Sequence, residues 1–492
     1  MRVSITAATA DLAKASGETL VILLDDEMRL ALYKSSRMYE EASRVLQQAK
    51  DEQIFEPLRM CGKHFEVEFD SVVFVPLRLM YFKDPDDEIR TAAAKAMDHA
   101  RKQNRTNLSF LLETKAGIKA AGPVCEGLHL GAYEFTSYRK SRYPRDEMTA
   151  CLLVHRDNLP AARALVKREE LACTAANRAR DLINTSGSDL PPESIADYAR
   201  KVAAQHGLKF NLLKAADLKK EGYAGIMAVG AGSANPPVMF SLEYQGARRK
   251  KVDVALVGKG ISFDTGGISL KPWDKMWEMK TDMSGASAVI HTLAAIAHLK
   301  PKLNIAAVVP SAENRPGSRA YLPGDVLKFK NDVSVEVHTT DAEGRLILAD
   351  GLIHAQDKFA PETIVDVATL TGACQRALGP DFTGIMANDA LLAQSIIRAG
   401  ARAGEKLWEL PLPVEYDEML LSPIATVKNV GGPLAGAQTA GLFLQHFVGE
   451  GVKWAHLDIA GTAYYDTKRR QFLQPGATGV MVRTLTDWLT SG

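Results

Sequence analysis

The stretch Val252-Asp-Val-Ala-Leu-Val257-Gly258-Lys259-Gly260-Ile-Ser-Phe-Asp264-Thr-Gly266-Gly267 decides the fold class. Its first six residues form a short, valine-rich and mostly apolar run, the pattern of a strand buried on both faces of a sheet. A glycine-rich turn follows, and it holds a lysine and an aspartate. In an open α/β sheet, ligands gather at the C-terminal ends of the strands, so function is expected here.

Similar apolar runs recur at Asn304–Val309, Thr363–Ala368 and Trp454–Ile459, with helical patterns at Ala286–Leu299 and Leu346–Phe359 between them. That alternation predicts an α/β architecture. The first third alternates too, with strands expected at Val3–Thr6, Thr19–Leu24, Val72–Leu77, Leu108–Leu112 and Thr149–Val154. Helices are expected there at Glu40–Lys50, Asp87–Gln103 and Thr114–His129. A long helical pattern from about Leu159 breaks at Asn184-Thr-Ser-Gly-Ser-Asp-Leu-Pro-Pro, where turn formers and paired prolines mark a boundary. The expected organisation is an N-terminal α/β domain over 1–158, a connecting helix over 159–183 and a second, C-terminal domain over 184–492. A chain of 492 residues is too long for one ordinary domain.

Composition narrows the function classes. The formal net charge of +1 gives no global field toward nucleic acid or an anionic membrane, and the basic runs Arg248–Lys251 and Lys468–Arg470 read as solvated loops. Five scattered cysteines without a C-x-x-C pair argue against a disulfide framework and a thiolate metal site. No apolar stretch is long enough to span a bilayer, and Asp11, Lys14 and Glu18 interrupt any signal-peptide core. A cytoplasmic protein is expected.

Lys259 directly after a buried strand is unusual. Burial disfavours the charged amine and can free its lone pair for a metal; the plainer reading is a lysine reaching solvent. The Gly258-Lys259 pair does not make a P-loop, because Asp253 stands where the first glycine belongs and Gly260 where Ser or Thr should follow. Gly230-Ala-Gly232 lacks a third glycine at Asn235, and Ser284 lacks the glycine of a nucleophile elbow.

Two more loops carry acids. Asp282 precedes the helix at Ala286–Leu299 and could simply cap it. Thr339-Thr340-Asp341-Ala342-Glu343-Gly344-Arg345 follows the apolar Val335–His338; if extended, it puts Asp341, Glu343 and Arg345 on one side. Read plainly, it is a charged turn opening the next helix. Taken together, three loops deliver Asp264, Asp282, Asp341 and Glu343 beside Lys259, with no His or Cys. Oxygen-rich ligation with a lone nitrogen points to Mn, Mg or Zn, and four carboxylates suggest two ions about 3.5–4 Å apart. Lys271 and Arg345 remain as cations for developing oxyanion charge.

These residues resemble the leucyl aminopeptidase (cytosol aminopeptidase, M17) family. The likeness lies in Asp341-Ala-Glu343-Gly-Arg345-Leu, in Val257 to Pro272, in Val367-Ala-Thr369-Leu370-Thr-Gly372-Ala and in Trp454-Ala-His-Leu-Asp-Ile-Ala460-Gly. It runs from about Asn177 to the C-terminus. The resemblance implies a larger catalytic domain whose mixed central sheet is flanked by helices. It implies two divalent ions per subunit, Mn2+ or Zn2+. One would be held by Asp264, Asp341 and Glu343, the other by Lys259, Asp264, Asp282 and Glu343. It further implies a bicarbonate at Arg345 as general base, Lys271 polarising the scissile carbonyl, and a first-side-chain pocket of Met279, Thr369, Leu370, Gly372, Ala460 and Ala463. A free α-amine on the metal would make the enzyme an exopeptidase favouring Leu-like N-terminal residues of peptides. Family members are homohexamers, dimers of trimers. One departure is Thr339, where the family has an asparagine that contacts substrate.

Two other classes remain open at this point. Another two-metal hydrolase, such as a phosphatase, would use the same acids. A DNA-binding role, known for some bacterial members of this family, would need a basic groove assembled across a hexamer, which near-neutral charge disfavours.

Overall fold

Four apolar strands lie side by side at the centre of the larger unit, their side chains almost entirely withdrawn from water. The structure is a computed structural model describing residues 2–11, 14–24, 37–52, 56–65, 67–77, 84–113, 117–141, 147–467 and 470–491. The chain folds as two compact units, Met1–Thr174 with Thr467–Pro475, and Ala175–Asp466 with Gly476–Gly492.

In the first unit β1 (Arg2–Thr9), β2 (Ser16–Leu24), β3 (Leu58–Cys61), β4 (Glu68–Pro76), β5 (Asn107–Leu112) and β6 (Glu147–Val154) form one sheet ordered β1-β6-β5-β2-β4-β3. Every pair is parallel except β3 with β4. Helices α1 (Arg37–Glu52), α2 (Pro85–Lys102) and α3 (Ile118–Gly131) belong to this unit. Local signals explain α2. The Asp84 carboxylate accepts from Asp86 N, Pro85 opens the first turn, three acids line that turn and His99, Arg101 and Lys102 close the last. Residues 114–116 of the expected Thr114–His129 helix lie outside the described residues, as do Lys468 and Arg469.

Helix α4 spans Leu159–Asn184, and the division between the units falls inside it. The expected domain limits differ from this division in two ways: the helix is shared between units, and 467–475 returns to the first one. A periodic helical pattern shows where a helix runs but not which core its two halves join.

The catalytic sheet contains β7 (Lys209–Leu213), β8 (Val238–Gln245), β9 (Val254–Gly258), β10 (Gly260–Asp264), β11 (Asn304–Asn314), β14 (Thr363–Ala368), β15 (Phe382–Ala387), β16 (Lys406–Glu409) and β18 (Lys453–Asp458). The order is β16-β15-β18-β14-β9-β11-β8-β7, with β10 also paired to β11. The inner strands β18, β14, β9 and β11 run parallel, whereas β8, β7 and the β15–β18 pair are antiparallel. The α/β architecture is the one the alternation of runs predicts, and the sheet is mixed, as the resemblance implies. A separate small sheet joins β12 (Val326–Lys328), β13 (Ser334–Glu336) and β17 (Val427–Lys428).

Helix α5 (Ser284–Leu299) packs against β9 and β14, and α6 (Glu343–Phe359) against β11 and β9. Both are buried nearly all round over their first thirteen residues, and small side chains let them lie close to the sheet. Full burial of each Val or Leu on β9 contributes roughly 1.5–3 kcal/mol relative to exposure. All five cysteines are free. Among the described residues, no helix is long and apolar enough to cross a membrane.

Candidate metal centre

Four chain segments converge where β9 ends, each setting its acid or amine at or beside one end of a rigid element. Lys259 follows β9 and is 3 % exposed. Its Nζ donates to Asp282 Oδ1 at 2.7 Å and to the Thr369 carbonyl at 2.9 Å, and lies 3.0 Å from Glu343 Oε1. Asp264 ends β10; its Oδ1 accepts from Gly266 N at 2.8 Å and from Asn314 Nδ2 at 2.7 Å. Lys271 Nζ lies 2.9 Å from Asp264 Oδ2 and 2.5 Å from Asp341 Oδ1. Asp264, Asp341 and Glu343 each offer an oxygen within 4.8 Å of the others.

Two alternatives left open by the sequence are decided here. Asp282 does not cap α5: the cap position is Met283 without a side-chain bond, and Asp282 Oδ1 instead accepts from Lys259 and from Thr369 Oγ1 at 2.7 Å. Nor is 341–345 extended, since α6 begins at Glu343, and Asp341 sits in the preceding turn. The acids meet because a turn folds one toward the other, not because they share a strand face.

The electrostatics also differ from the simple burial argument. Burial pushes Lys259 toward its neutral form, but Asp282, Glu343 and Asp264 outweigh it and hold the amine above the usual lysine range. Lys271 is raised likewise, against its own burial, by Asp264, Glu343 and Asp341. Burial and the neighbouring Glu343 push Asp264 up to about 6, and burial raises Asp282 well above an ordinary carboxylate. Burial would raise Glu343 as well, yet Lys259 and Lys271 hold it below its ordinary value. Both amines are thus cations wherever the carboxylates are their only partners.

Two carboxylate oxygens remain orphaned. Asp282 Oδ2 and Glu343 Oε2 are buried and accept no hydrogen bond among the described residues. Such atoms cost free energy unless a cation meets them. With carboxylate oxygens around one amine, the donor set fits hard or borderline divalent ions.

Arg345, in the first turn of α6, is separate from this cage. Its Nη1 donates to the Asn429 carbonyl at 2.8 Å, its buried Nε has no partner among the described residues, and burial lowers its pKa to about 10. A desolvated guanidinium with a free N–H suits a small anion.

The pocket candidates come from neighbouring turns. Met279 lies in the 3-10 helix Met276–Thr281, and Asp282 N donates to its carbonyl. Gly372 opens α7 (Gly372–Leu378), and Asp458 Oδ1 accepts from both Leu370 N and Ala460 N, tying those two turns together. Ala463 is buried. Thr339 Oγ1 accepts from Asp341 N, so its hydroxyl supports the acid-bearing turn. Residues that sequence reasoning missed are Asn314, Tyr321, Thr340 and Asn429. Asn314 ends β11, five residues beyond the strand end expected from the apolar run, and nothing local marks it.

Residues 177–486 match the cytosol aminopeptidase family, catalytic domain. The chain belongs to this M17 peptidase family. A protein of Roseiflexus castenholzii named "Probable cytosol aminopeptidase" is 43% identical, with 82% of this chain and 85% of that one covered. Among solved structures, the bottromycin maturation enzyme BotP in complex with Mn has a TM-score of 0.80 and 31% identity, covering 99% of both chains. A tomato leucine aminopeptidase mutant has a TM-score of 0.83 and 28% identity over 100% of this chain and 97% of that one. The protein is accordingly a metallo-aminopeptidase, a hydrolase, and its acidic cluster fits divalent metals. The phosphatase alternative falls with that membership.

Proposed function

We propose that the protein releases N-terminal amino acids, Leu-like ones preferentially, from peptides with two divalent ions per subunit, Mn2+ or Zn2+. The observation that carries this reading is the cage of Asp264, Asp341, Glu343, Asp282 and Lys259, with two buried carboxylate oxygens left without donors among the described residues. Asp264, Asp341 and Glu343 would hold one ion, and Lys259, Asp264, Asp282 and Glu343 the other. Such a pair supplies Lewis-acid polarisation of the carbonyl and a nucleophile at neutral pH.

The chain's own groups do the rest. Lys271 keeps its proton beside Asp264 and Asp341, so its Nζ is a donor for the oxyanion that develops on the scissile carbonyl. Arg345 would hold a bicarbonate as general base through its unused Nε–H. Met279, Thr369, Leu370, Gly372, Ala460 and Ala463 would shape an apolar pocket, its small alanines leaving room for a Leu or Met side chain. Thr339 would border the leaving peptide. A cytoplasmic homohexamer agrees with the exposed apolar side chains Val414, Leu421, Ile424 and Leu434, which a second subunit would cover.

The test strips metal with a chelator, restores Mn, Zn, Co or Mg, and measures a panel of aminoacyl anilides. Restored hydrolysis of the leucyl anilide supports the reading. Asp341→Ala retaining that activity after add-back overturns it.

A further inference from the structure

Thr340 lies between two catalytic side chains without offering an atom to either. Its residue is fully buried, and its polar atoms meet the Gly266–Ser269 turn, Asn314 and Tyr321. Oγ1 donates to the Gly266 carbonyl at 2.6 Å and accepts from Ser269 N at 2.8 Å. Thr340 N donates back to Ser269 Oγ at 3.1 Å, while the Thr340 carbonyl accepts from Tyr321 Oη at 2.8 Å and Asn314 Nδ2 at 3.0 Å. The Gly266–Ser269 turn leads directly to Lys271, and Thr340 directly precedes Asp341. Gly267 has φ +70, and a Cβ there would come within 2.9 Å of Thr340 Oγ1, so no side chain fits between turn and threonine.

From this geometry we infer that the Thr340 hydroxyl is the positioning group that locks the Lys271 turn onto the Asp341 turn. It thereby fixes where the Lys271 amine stands relative to Asp264 and Asp341. The inference rests on the proposed role of Lys271 and of the acidic cage. The polar atoms of Thr340 are taken up by Gly266, Ser269, Tyr321 and Asn314, so it acts through Lys271 and Asp341. A hydroxyl here is used as donor and acceptor at once, which valine cannot imitate and serine can.

The test compares the full-length protein with Thr340→Val, Thr340→Ser and Ser269→Ala. Leucine p-nitroanilide kinetics are measured in Mn2+, and Mn2+ affinity by calorimetry on chelator-treated protein. Thr340→Val should lower kcat by about 10- to 100-fold with KM moved far less, because a displaced cation misses the developing charge. It should also weaken Mn2+ binding, and Thr340→Ser should recover most of both losses. Thr340→Val matching the unsubstituted protein, or Thr340→Ser being as impaired as Thr340→Val, overturns the inference. If Thr340→Val does not fold, half-buried Ser269 carries the test: Ser269→Ala should lower kcat, and an unchanged kcat overturns the inference. Should the unsubstituted protein show no metal-dependent hydrolysis, the proposed function fails. The Mn2+ affinities then decide the clamp alone: lowered in Thr340→Val and restored in Thr340→Ser supports it, equal values overturn it.

Discussion

A Cβ placed on Gly344 would stand 2.6 Å from Lys259 Nζ and closer still to its Cε. The buried lysine reaches Asp282 and Glu343 only because the second residue of α6 has no side chain. Gly344→Ala should therefore displace the amine while leaving the helix intact. We expect kcat/KM to fall on the order of 100-fold, as for other small misplacements of a catalytic group. The unfolding temperature should fall as well, because a displaced amine no longer compensates buried Asp282 and Glu343, and that loss outweighs the about 1 kcal/mol by which alanine favours helix over glycine. Kinetics and unfolding curves on the same preparation check both; full activity would show that Lys259 need not stay where it is.

Lys259 also matters without metal. It is the cation that both Asp282 and Glu343 contact. Lys259→Met keeps the length but removes the charge, leaving two buried acids uncompensated. Removing one partner of a buried pair typically destabilises by roughly 3–5 kcal/mol. Urea unfolding in the presence of chelator should show a loss of that order, and equal midpoints would refute it.

Metal binding should appear as stability. An ion that binds only the native state stabilises by about 2.7 kcal/mol at 100 times its Kd. Mn2+ should raise the unfolding temperature of the chelator-treated protein, and Asp341→Ala should shrink that rise. Asp341 is the one acid of the metal trio that is exposed, so its loss should otherwise disturb the fold least.

How much of this is legible in the sequence differs by kind of contact. Lys259, Asp264, Asp282, Asp341 and Glu343 stand out there because each sits in a polar loop beside an apolar run, and the structure brings all five to one place. Their supports do not. Asn429 Nδ2 donates to the Thr339 carbonyl across 90 residues, and Asn314 reaches Asp264 across 50. No periodicity records such bonds. The protonation of Lys259 also escapes the sequence, because burial is a local property and two of the three opposing carboxylates, Asp282 and Glu343, come from distant loops. In the first unit, short apolar runs mark β2, β4, β5 and β6, but not that β2 sits between β4 and β5.

Asp350 gives the pH prediction. It is fully buried on α6, and its Oδ2 accepts from Ile226 N at 2.7 Å in the helix Ala224–Gly230. That helix has no side-chain bond from its own cap residue Tyr223, so Asp350 serves as a cap from another element. Burial holds the Asp350 carboxyl well above its ordinary value; the Ile226 and Gly225 amides pull it down but do not win. In the unfolded chain an aspartate titrates near ~3.9. Between that value and the higher folded one, the native state keeps a proton that the unfolded state releases. Stability is therefore full below the unfolded pKa and falls as pH rises toward the folded one, by at most about 1.4 kcal/mol per pH unit. Asn supplies an accepting oxygen without ionising. Asp350→Asn should thus gain stability relative to the parent as pH is raised from about 4 to about 8. Urea unfolding at both ends of that range measures the difference. A gap that stays constant, or that widens in favour of the parent, would mean that Asp350 is already ionised in the folded protein.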